Sequence, residues 1–409
     1  MSAPESGDQV LVIHLGEQLV GELVLRGEDQ SEFRLAREYL ELAHRPVLGQ
    51  VFEDDLTATH RARMKVPPFF SNLLPEGRLR RLVADAAKVS VEREFFLLAR
   101  LGADLPGDVR ATARTPVVDS GKEAPLRPDA PEAGPLKFSL AGVQLKLSMI
   151  HEGRGMTLAA GGTGGDWIVK LPGGEFQGVP ENEFATMSWA REVGIQVPEI
   201  ALVQVRDLRG LPAGVSTEQG VAFAVRRFDR PEPGRRIHIE DFAQIRNQYP
   251  HDKYGATNYE TLGKLILRIA GQASFEEFVR RLAFHVVSAN ADAHLKNWSL
   301  IYPDRIHPEL SPAYDLVSTL EFIGTDALAL NLARTKVWNE LSLGHFERFA
   351  QKVGADPVAV TSIVQTTVER ALDAWPAIRR DLPVSAVLSQ RLEAHWRGVP
   401  LLGELRGSH

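Results

Sequence analysis

The amino-acid sequence predicts an α+β fold of two lobes, with a small α+β unit ahead of them and a mostly helical second lobe. Three observations predict it. Alternating, strand-type segments are concentrated before residue 231, at 9–25, 166–172 and 221–230. Helical periodicity takes over after Pro231, at 257–271, 275–289, 344–353, 356–374 and 384–397. Between the first strands and the rest, residues 111–136 hold five prolines and almost no apolar periodicity, which reads as an exposed linker or long loop. The expected division is therefore 1–110 for the N-terminal unit, 111–136 for the linker, 137–230 for a strand-rich lobe core and 231–405 for the helical lobe.

Composition narrows the class. With 409 residues the chain has room for two or three domains, and 44% apolar with 24% charged residues is ordinary for a globular protein. It has no cysteine, so disulfides, thiolate metal sites and cysteine nucleophiles are excluded. The formal charge of −6 argues against a chain that coats nucleic acid along its whole length. Met1–Asp8 lacks the basic start and apolar core of a signal peptide, and no apolar run approaches membrane-spanning length. A cytoplasmic protein without membrane contact is the expectation.

In chain order, Val10–Leu15 and Leu19–Leu25 alternate on either side of Gly16 and read as an opening hairpin. From Phe69 to Leu101 the pattern is helical, pausing at Pro75-Glu-Gly and ending at Gly102. Two basic clusters, Arg61-Ala-Arg63 with Lys65 and Arg78-Leu-Arg-Arg81, suit either a phosphate backbone or plain solvated faces. After the linker, Ser139, Ala141 and Gly142 make a small-residue turn before an alternating strand. Small residues let backbone N–H groups approach phosphate oxygens, and Lys146 would help; a structural turn explains the same residues.

Gly161-Gly-Thr-Gly-Gly165 precedes a strand and lacks a Gly-Lys-Ser/Thr ending, so it is not a Walker A loop. It reads as a hairpin turn. Asp166–Pro172 then places Lys170 in an otherwise apolar strand, where a lysine needs a partner or marks an edge strand guarded against aggregation. Partners are at hand in Glu181 and Glu183, which open a helix after Pro180 with Phe184, Met187 and Val193 on its face and Gly194 at its end. Val221–Arg230 is a strand that turns polar abruptly, as a crossing between lobes would.

The densest polar stretch is Phe284–Ser299, with Asp292, His294, Lys296 and Asn297 in six residues. A helix precedes it, with Ser274 and Glu277 spaced as a capping box. Strand formers Trp298–Tyr302 follow and stop at Pro303-Asp304, so a hairpin should bring Asp315 back beside Asn297. A protein-kinase catalytic loop has an Asp that orients the accepting hydroxyl, an Asn on Mg²⁺ five residues later, and a further Asp holding metal across the phosphates. Asp292, Asn297 and Asp315 have that arrangement. Their hard oxygens suit Mg²⁺, and Lys296 would add charge near the phosphates.

Taken together, the chain resembles the HipA family, serine/threonine kinase toxins of bacterial type II toxin-antitoxin pairs. The resemblance runs from residue 9 to 400 and rests on Ser71–Glu76, Ser139–Lys146, Trp167–Pro172, Pro180–Phe184, Val225–Arg230, Asn290–Asn297 and Pro312–Leu316. It implies a two-lobed protein-kinase-like fold and ATP with Mg²⁺ as cofactors. It implies Asp292 as catalytic base, Asn297 and Asp315 as metal ligands, and Lys170 on the ATP phosphates with Glu183 as its candidate partner. Ala141, Gly142, Val143 and Gln144 fall in the family's phosphate loop, Arg227 and Phe228 in its hinge, and His294 and Lys296 at its phosphate site. Ser139 matches the loop serine whose autophosphorylation switches the kinase off.

The partners implied are a protein substrate, in the best-known case glutamyl-tRNA synthetase, an aminoacyl-tRNA synthetase, and a HipB-like helix-turn-helix antitoxin. Operator DNA would be met mainly through that antitoxin. Residues 248–258 are short for the family's substrate-side loop, which leaves the target open. Two other readings compete: a non-phosphorylating co-repressor module acting with its antitoxin, and a small-molecule kinase. The full set of catalytic residue types counts against the first, and the N-terminal unit and Ser139 loop against the second. His285 and His294 are nine apart and lack metal-ligand spacing.

Overall fold

The computed structural model describes residues 8–117, 145–152, 155–158, 164–173, 176–211, 220–255, 257–324 and 327–406. The phosphate-loop candidates Ser139, Ala141, Gly142, Val143 and Gln144 lie outside them.

The opening alternation folds as expected. β1 (Gln9–Leu15) and β2 (Gln18–Arg26) pair antiparallel across Gly16, whose φ of +61° is a glycine conformation. β3 (Gln30–Leu35), β4 (His60–Arg63) and β5 (Val109–Ala113) complete a sheet in the order β4-β3-β2-β1-β5. β5 thus takes the first three residues of the stretch expected as linker, because their backbone closes the edge of β1. Ahead of the last strand run α1 (Gly77–Ala87) and α2 (Glu94–Leu101). Alternate side chains Leu11, Ile13, Leu23 and Phe33 pack on Phe69, Phe70, Leu97 and Leu98, the last two from α2. Each such burial stabilises by roughly 1.5–3 kcal/mol.

The second sheet is built from β6 (Lys146–Glu152), β7 (Gly155–Leu158), β8 (Trp167–Lys170), β9 (Ile200–Gln204), β10 (Leu208–Arg209) and β11 (Val221–Arg226). Its order is β10-β7-β6-β8-β11-β9. β7 and β8 flank β6 and are not paired with each other, and residues 161–163 of the turn expected at 161–165 lie outside the described residues. β8 lies between β6 and β11, so Lys170 guards no edge and needs partners. One face of this sheet, with Leu147, Val169 and Ala224, is covered by Leu79 and Leu82 of α1. Helix α3 (Val179–Glu192) buries Met187 and Trp189 in the C-terminal core, and the indole N–H of Trp189 donates to the Ala371 carbonyl at 2.9 Å.

The helical lobe comprises α4 (Tyr259–Val287), α5 (Leu343–Val353), α6 (Pro357–Asp381), α7 (Ala386–Gly398) and α8 (Pro400–Arg406). The two periodic stretches expected at 257–271 and 275–289 are two helical segments of α4 that meet at a kink, where Gly271 leaves the helical conformation with φ +78° and ψ −177°. The Ser274–Glu277 capping box does not form. Ser274 Oγ accepts from Leu310 N at 3.0 Å, while Glu277 receives Gln196 N, Arg280 and Arg281. The hairpin after Trp298 is present: β13 (Ser299–Tyr302) pairs antiparallel with β14 (Glu309–Leu310) and with β12 (His238–Asp241).

The N-terminal unit is bolted to this frame at two places. At the crossing between lobes, Asp229 accepts from Gly107 N (2.8 Å), and Arg230 and Arg236 donate to carbonyls of Ala103, Leu105 and Gly107. Beside β12, His238 Nε2 donates to Leu48 O (2.8 Å), and Glu240 accepts from Gln50 N (3.1 Å) and the Tyr302 hydroxyl. Glu240 is fully buried, which pushes its carboxyl up from the ordinary 4.5 to about 8 against the Tyr302 hydrogen bond.

A carboxyl with its folded-state pKa raised keeps its proton longer when folded. Its contribution is complete below the unfolded value of 4.5 and is lost as pH rises through about 8. Urea unfolding is expected to weaken across that window by at most about 1.4 kcal/mol per pH unit, and Glu240→Gln to remove this slope. An unchanged slope would place the proton elsewhere.

Candidate active site

Asp292 sits in the turn between α4 and β13, and the chain around it is fixed by its own hydrogen bonds. Asp292 N donates to Asn290 Oδ1 (2.9 Å), and the Asp292 carbonyl accepts from His294 N (2.8 Å) and Asn297 Nδ2 (2.8 Å). Tyr259 Oη and Trp298 Nε1 both donate to Ala293 O, at 3.2 and 3.3 Å. Ala291 N is held by Thr319 Oγ1 (3.1 Å). With both lone pairs of its carbonyl occupied and its flanks tied, the loop presents the Asp292 side chain in one orientation.

That carboxyl is 6% exposed. Burial pushes it up from 3.8 to about 6, while the hydroxyl of Tyr254, which donates to Oδ1, and the charge of Lys253 hold it down. A carboxylate poised near 6 is ionised at neutral pH yet basic enough to draw a proton from a hydroxyl. Tyr254 was not legible as a site residue, because it comes from a short polar loop with no periodicity.

Opposite lies a buried ion cluster. Lys170, 4% exposed, donates to Glu183 of α3 and to Asp315 Oδ1, and Lys146 reaches Asp315 Oδ2 at 3.0 Å. Glu183 is therefore the helix glutamate that meets Lys170. Burial opposes the Lys170 charge, but Asp315 and Glu183 outweigh it and hold the ammonium well above its ordinary range. Burial likewise opposes the Asp315 charge, and Lys146 and Lys170 override it to keep the carboxylate ionised far below its usual pKa. Asp315 adopts φ +55°, a left-handed conformation that Asp tolerates better than most residues, and its charge acts on Asp292. The returning chain runs beside the loop, with Tyr314 Oη donating to Lys296 O at 2.9 Å.

Asn297 commits Nδ2 to the Asp292 carbonyl, which turns Oδ1 into its remaining donor for a hard cation. His294 is 1% exposed and neither of its ring nitrogens has a partner. Burial, then Lys253, pushes it down to about 3, so it is a neutral imidazole holding one unsatisfied N–H. Among the described residues no three His, Cys, Asp or Glu side chains converge as a metal cage. Asn297 and Asp315 offer hard oxygens of the type Mg²⁺ takes in small number while keeping water and phosphate for the rest of its shell, with the Asp315 oxygens meeting Lys170 and Lys146 here.

Two of the expected contacts fall elsewhere. Lys296 is drawn towards the N-terminal unit, where Nζ meets Asn72 O and Oδ1 and Glu76 Oε1, each at 3.1 Å, with Asp241 Oδ2 of β12 also in ion-pair range at 3.7 Å. The Arg227 guanidinium is committed to a fork with Asp229 at 2.8 and 3.0 Å, and its backbone is paired as well, Arg227 N donating to Asp166 O (2.8 Å) and Arg227 O accepting from Arg230 N (3.1 Å). Phe228 stands with its ring 5.7 Å from that of Tyr314. Of the basic clusters, Arg80 binds Val91 O and Glu94 within the N-terminal unit.

The family model of the HipA N-terminal domain matches residues 11–112, and that of the HipA-like C-terminal domain matches residues 138–375. A Sinorhizobium fredii protein named "Putative kinase Y4dM" is 43% identical over 409 residues, covering 97% of this chain and 98% of that protein. The serine/threonine-protein kinase toxin HipA of Shewanella oneidensis is 25% identical over 346 residues, 75% of each chain. A solved complex of Shewanella oneidensis HipA, HipB and operator DNA includes a chain of similar fold, with TM-score 0.75 and 22% identity over 98% of this chain and 100% of that one. With both family domains matched in order and a mixed α/β fold shared along its length, this chain belongs to the HipA family of kinases.

Proposed function

We propose that this protein is a serine/threonine protein kinase that uses ATP and Mg²⁺ and acts as the toxin of a toxin-antitoxin pair. The observation that carries the reading is the pairing of a buried carboxylate poised near 6, Asp292, with the Asp315 carboxylate that acts on it and that Lys170 and Lys146 hold ionised. Asp292 would orient the accepting hydroxyl and take its proton, and Lys170 and His294 would meet the phosphates. Asn297 and Asp315 would hold Mg²⁺, which when bound neutralises charge on the transferring phosphoryl group. Since phosphoryl transfer asks mainly for positioning and electrostatics, the fixed loop supplies most of what the chemistry needs.

In this reading the substrate is a protein of translation, an aminoacyl-tRNA synthetase such as glutamyl-tRNA synthetase. Self-inactivation would follow phosphorylation of Ser139, whose added charge beside the triphosphate would disfavour the bound loop. A HipB-like helix-turn-helix antitoxin would neutralise the kinase in the cytoplasm and carry it to operator DNA. The Shewanella oneidensis complex of HipA, HipB and operator DNA supports that partnership. Among the described residues no helix is long and apolar enough to cross a membrane.

The test is intact mass after incubation with ATP and Mg²⁺, beside an Asp292→Gln variant. One added phosphate on Ser139, absent from the variant, is the expected result. No phosphate together with no nucleotide binding would overturn the kinase reading in favour of a co-repressor.

A further inference from the structure

Glu76 stands at the position preceding α1, φ −109° and ψ 168°, where an acidic side chain ordinarily caps the helix behind it. It makes no such cap. Its two carboxylate oxygens are instead divided between two lysines from separate segments of the other lobe. Oε2 meets Lys253 Nζ at 2.9 Å, and Oε1 meets Lys296 Nζ at 3.1 Å. A surface carboxylate has little reason to give up a cap worth about 1 kcal/mol unless the alternative contacts are well sheltered. They are: Lys253 is 8% and Lys296 14% exposed. Burial opposes the Glu76 charge, and Lys296 and Lys253 override it, pulling the carboxyl from 4.5 down to about 2.

What gives the arrangement meaning is the next residue along each strand of chain. Lys253 is followed by Tyr254, whose hydroxyl holds the Asp292 carboxylate. Lys296 is followed by Asn297, whose amide holds the Asp292 carbonyl. The two segments are also joined directly, Leu295 N to Lys253 O at 3.2 Å. Glu76 thus ties together the two pieces that fix the side chain and the backbone of one residue. It is itself held in place by its own segment. Asn72 Nδ2 donates to Pro68 O (2.9 Å) and to Gln248 O (2.7 Å), and Asn72 accepts from the same Lys296.

We infer that Glu76 is a positioning residue for phosphoryl transfer, through which the N-terminal unit sets the geometry of the loop that carries Asp292. This rests on the kinase reading above for its catalytic consequence, and on the contacts alone for its structural one. The N-terminal unit is then part of the working site rather than a platform beside it. A displacement of about 1 Å at a reacting group costs on the order of 100-fold in rate.

The experiment compares the full chain with Glu76→Gln and Glu76→Asp, measuring Mg²⁺-dependent ATP turnover, thermal unfolding, and amide exchange at 253–254 and 292–297. Glu76→Gln is expected to lower kcat on the order of 10- to 100-fold with KM for ATP unchanged, and to speed exchange at both segments. Glu76→Asp should recover part of the rate, because it keeps the charge. Unchanged kcat, or a loss explained by the unfolded fraction with exchange unaltered, overturns the inference. If the native chain neither turns over nor binds ATP, the kinase reading fails by itself. Exchange then still decides the clamp, faster exchange supporting it and unchanged exchange overturning it.

Discussion

Replacing Asp292 with Asn is expected to lower phosphoryl transfer on the order of 10²- to 10⁴-fold while nucleotide binding persists. Asn keeps the shape and the backbone contacts to Asn290, His294 and Asn297, and removes the proton acceptor. Lys170, Asp315 and Asn297 are untouched, so the loss should fall on kcat. The native enzyme should also lose activity as pH falls through about 6, since burial raises this carboxyl and only its ionised form can act. Tyr254→Phe removes a hydrogen bond that favours the ionised form, so the acid limb should move to higher pH. A pH–rate profile of kcat checks both. A limb that stays in place or moves lower in Tyr254→Phe would mean that Tyr254 does not stabilise the carboxylate.

Most of the architecture was legible because it is written in local periodicity. The opening hairpin, the strand carrying Lys170, the helix opened by Pro180 and the turn at Pro303-Asp304 are each set by residues within about ten positions of one another. The Asp292–Asn297 spacing was legible for the same reason. What could not be read is what depends on distant chain. Whether Glu181 or Glu183 faces Lys170 turns on the rotation of α3, and only the fold shows that Glu183 is the one turned inward. Lys296 looked like a phosphate ligand because its loop neighbours are polar. Its actual partners are more than 200 positions away, in Asn72 and Glu76. The segments on either side of residues 159–163 look like consecutive hairpin partners, but β6 is hydrogen-bonded to both β7 and β8 and separates them. Ser274 and Glu277 have capping-box spacing, yet Leu310 and Gln196 from other segments claim their side chains.

Lys170→Met should cost about 3–5 kcal/mol of stability, because it leaves a buried carboxylate without its cation, and on the proposed role of Lys170 at the ATP phosphates it should weaken nucleotide binding as well. The two carboxylates it serves are not equally vulnerable. Asp315 keeps Lys146 at 3.0 Å, whereas Glu183, 3% exposed, has Lys170 as its charged hydrogen-bond partner. In the native chain burial already raises the Glu183 carboxyl above the ordinary 4.5 against the charge of Lys170, and losing that charge raises it further, so Glu183 escapes the penalty by holding a proton. Stability linked to a raised carboxyl is complete at low pH and falls away as pH rises, so the deficit of Lys170→Met should be larger at pH about 7.5 than at about 5.5. Adding Glu183→Gln removes the stranded charge and should restore part of the stability, while nucleotide binding stays as weak as in Lys170→Met alone. Urea unfolding of the native chain, the single variant and the double variant at both pH values checks this. Equal deficits at both values, with no recovery in the double variant, would mean that Lys170 contributes packing rather than charge, and that Glu183 is not its electrostatic partner.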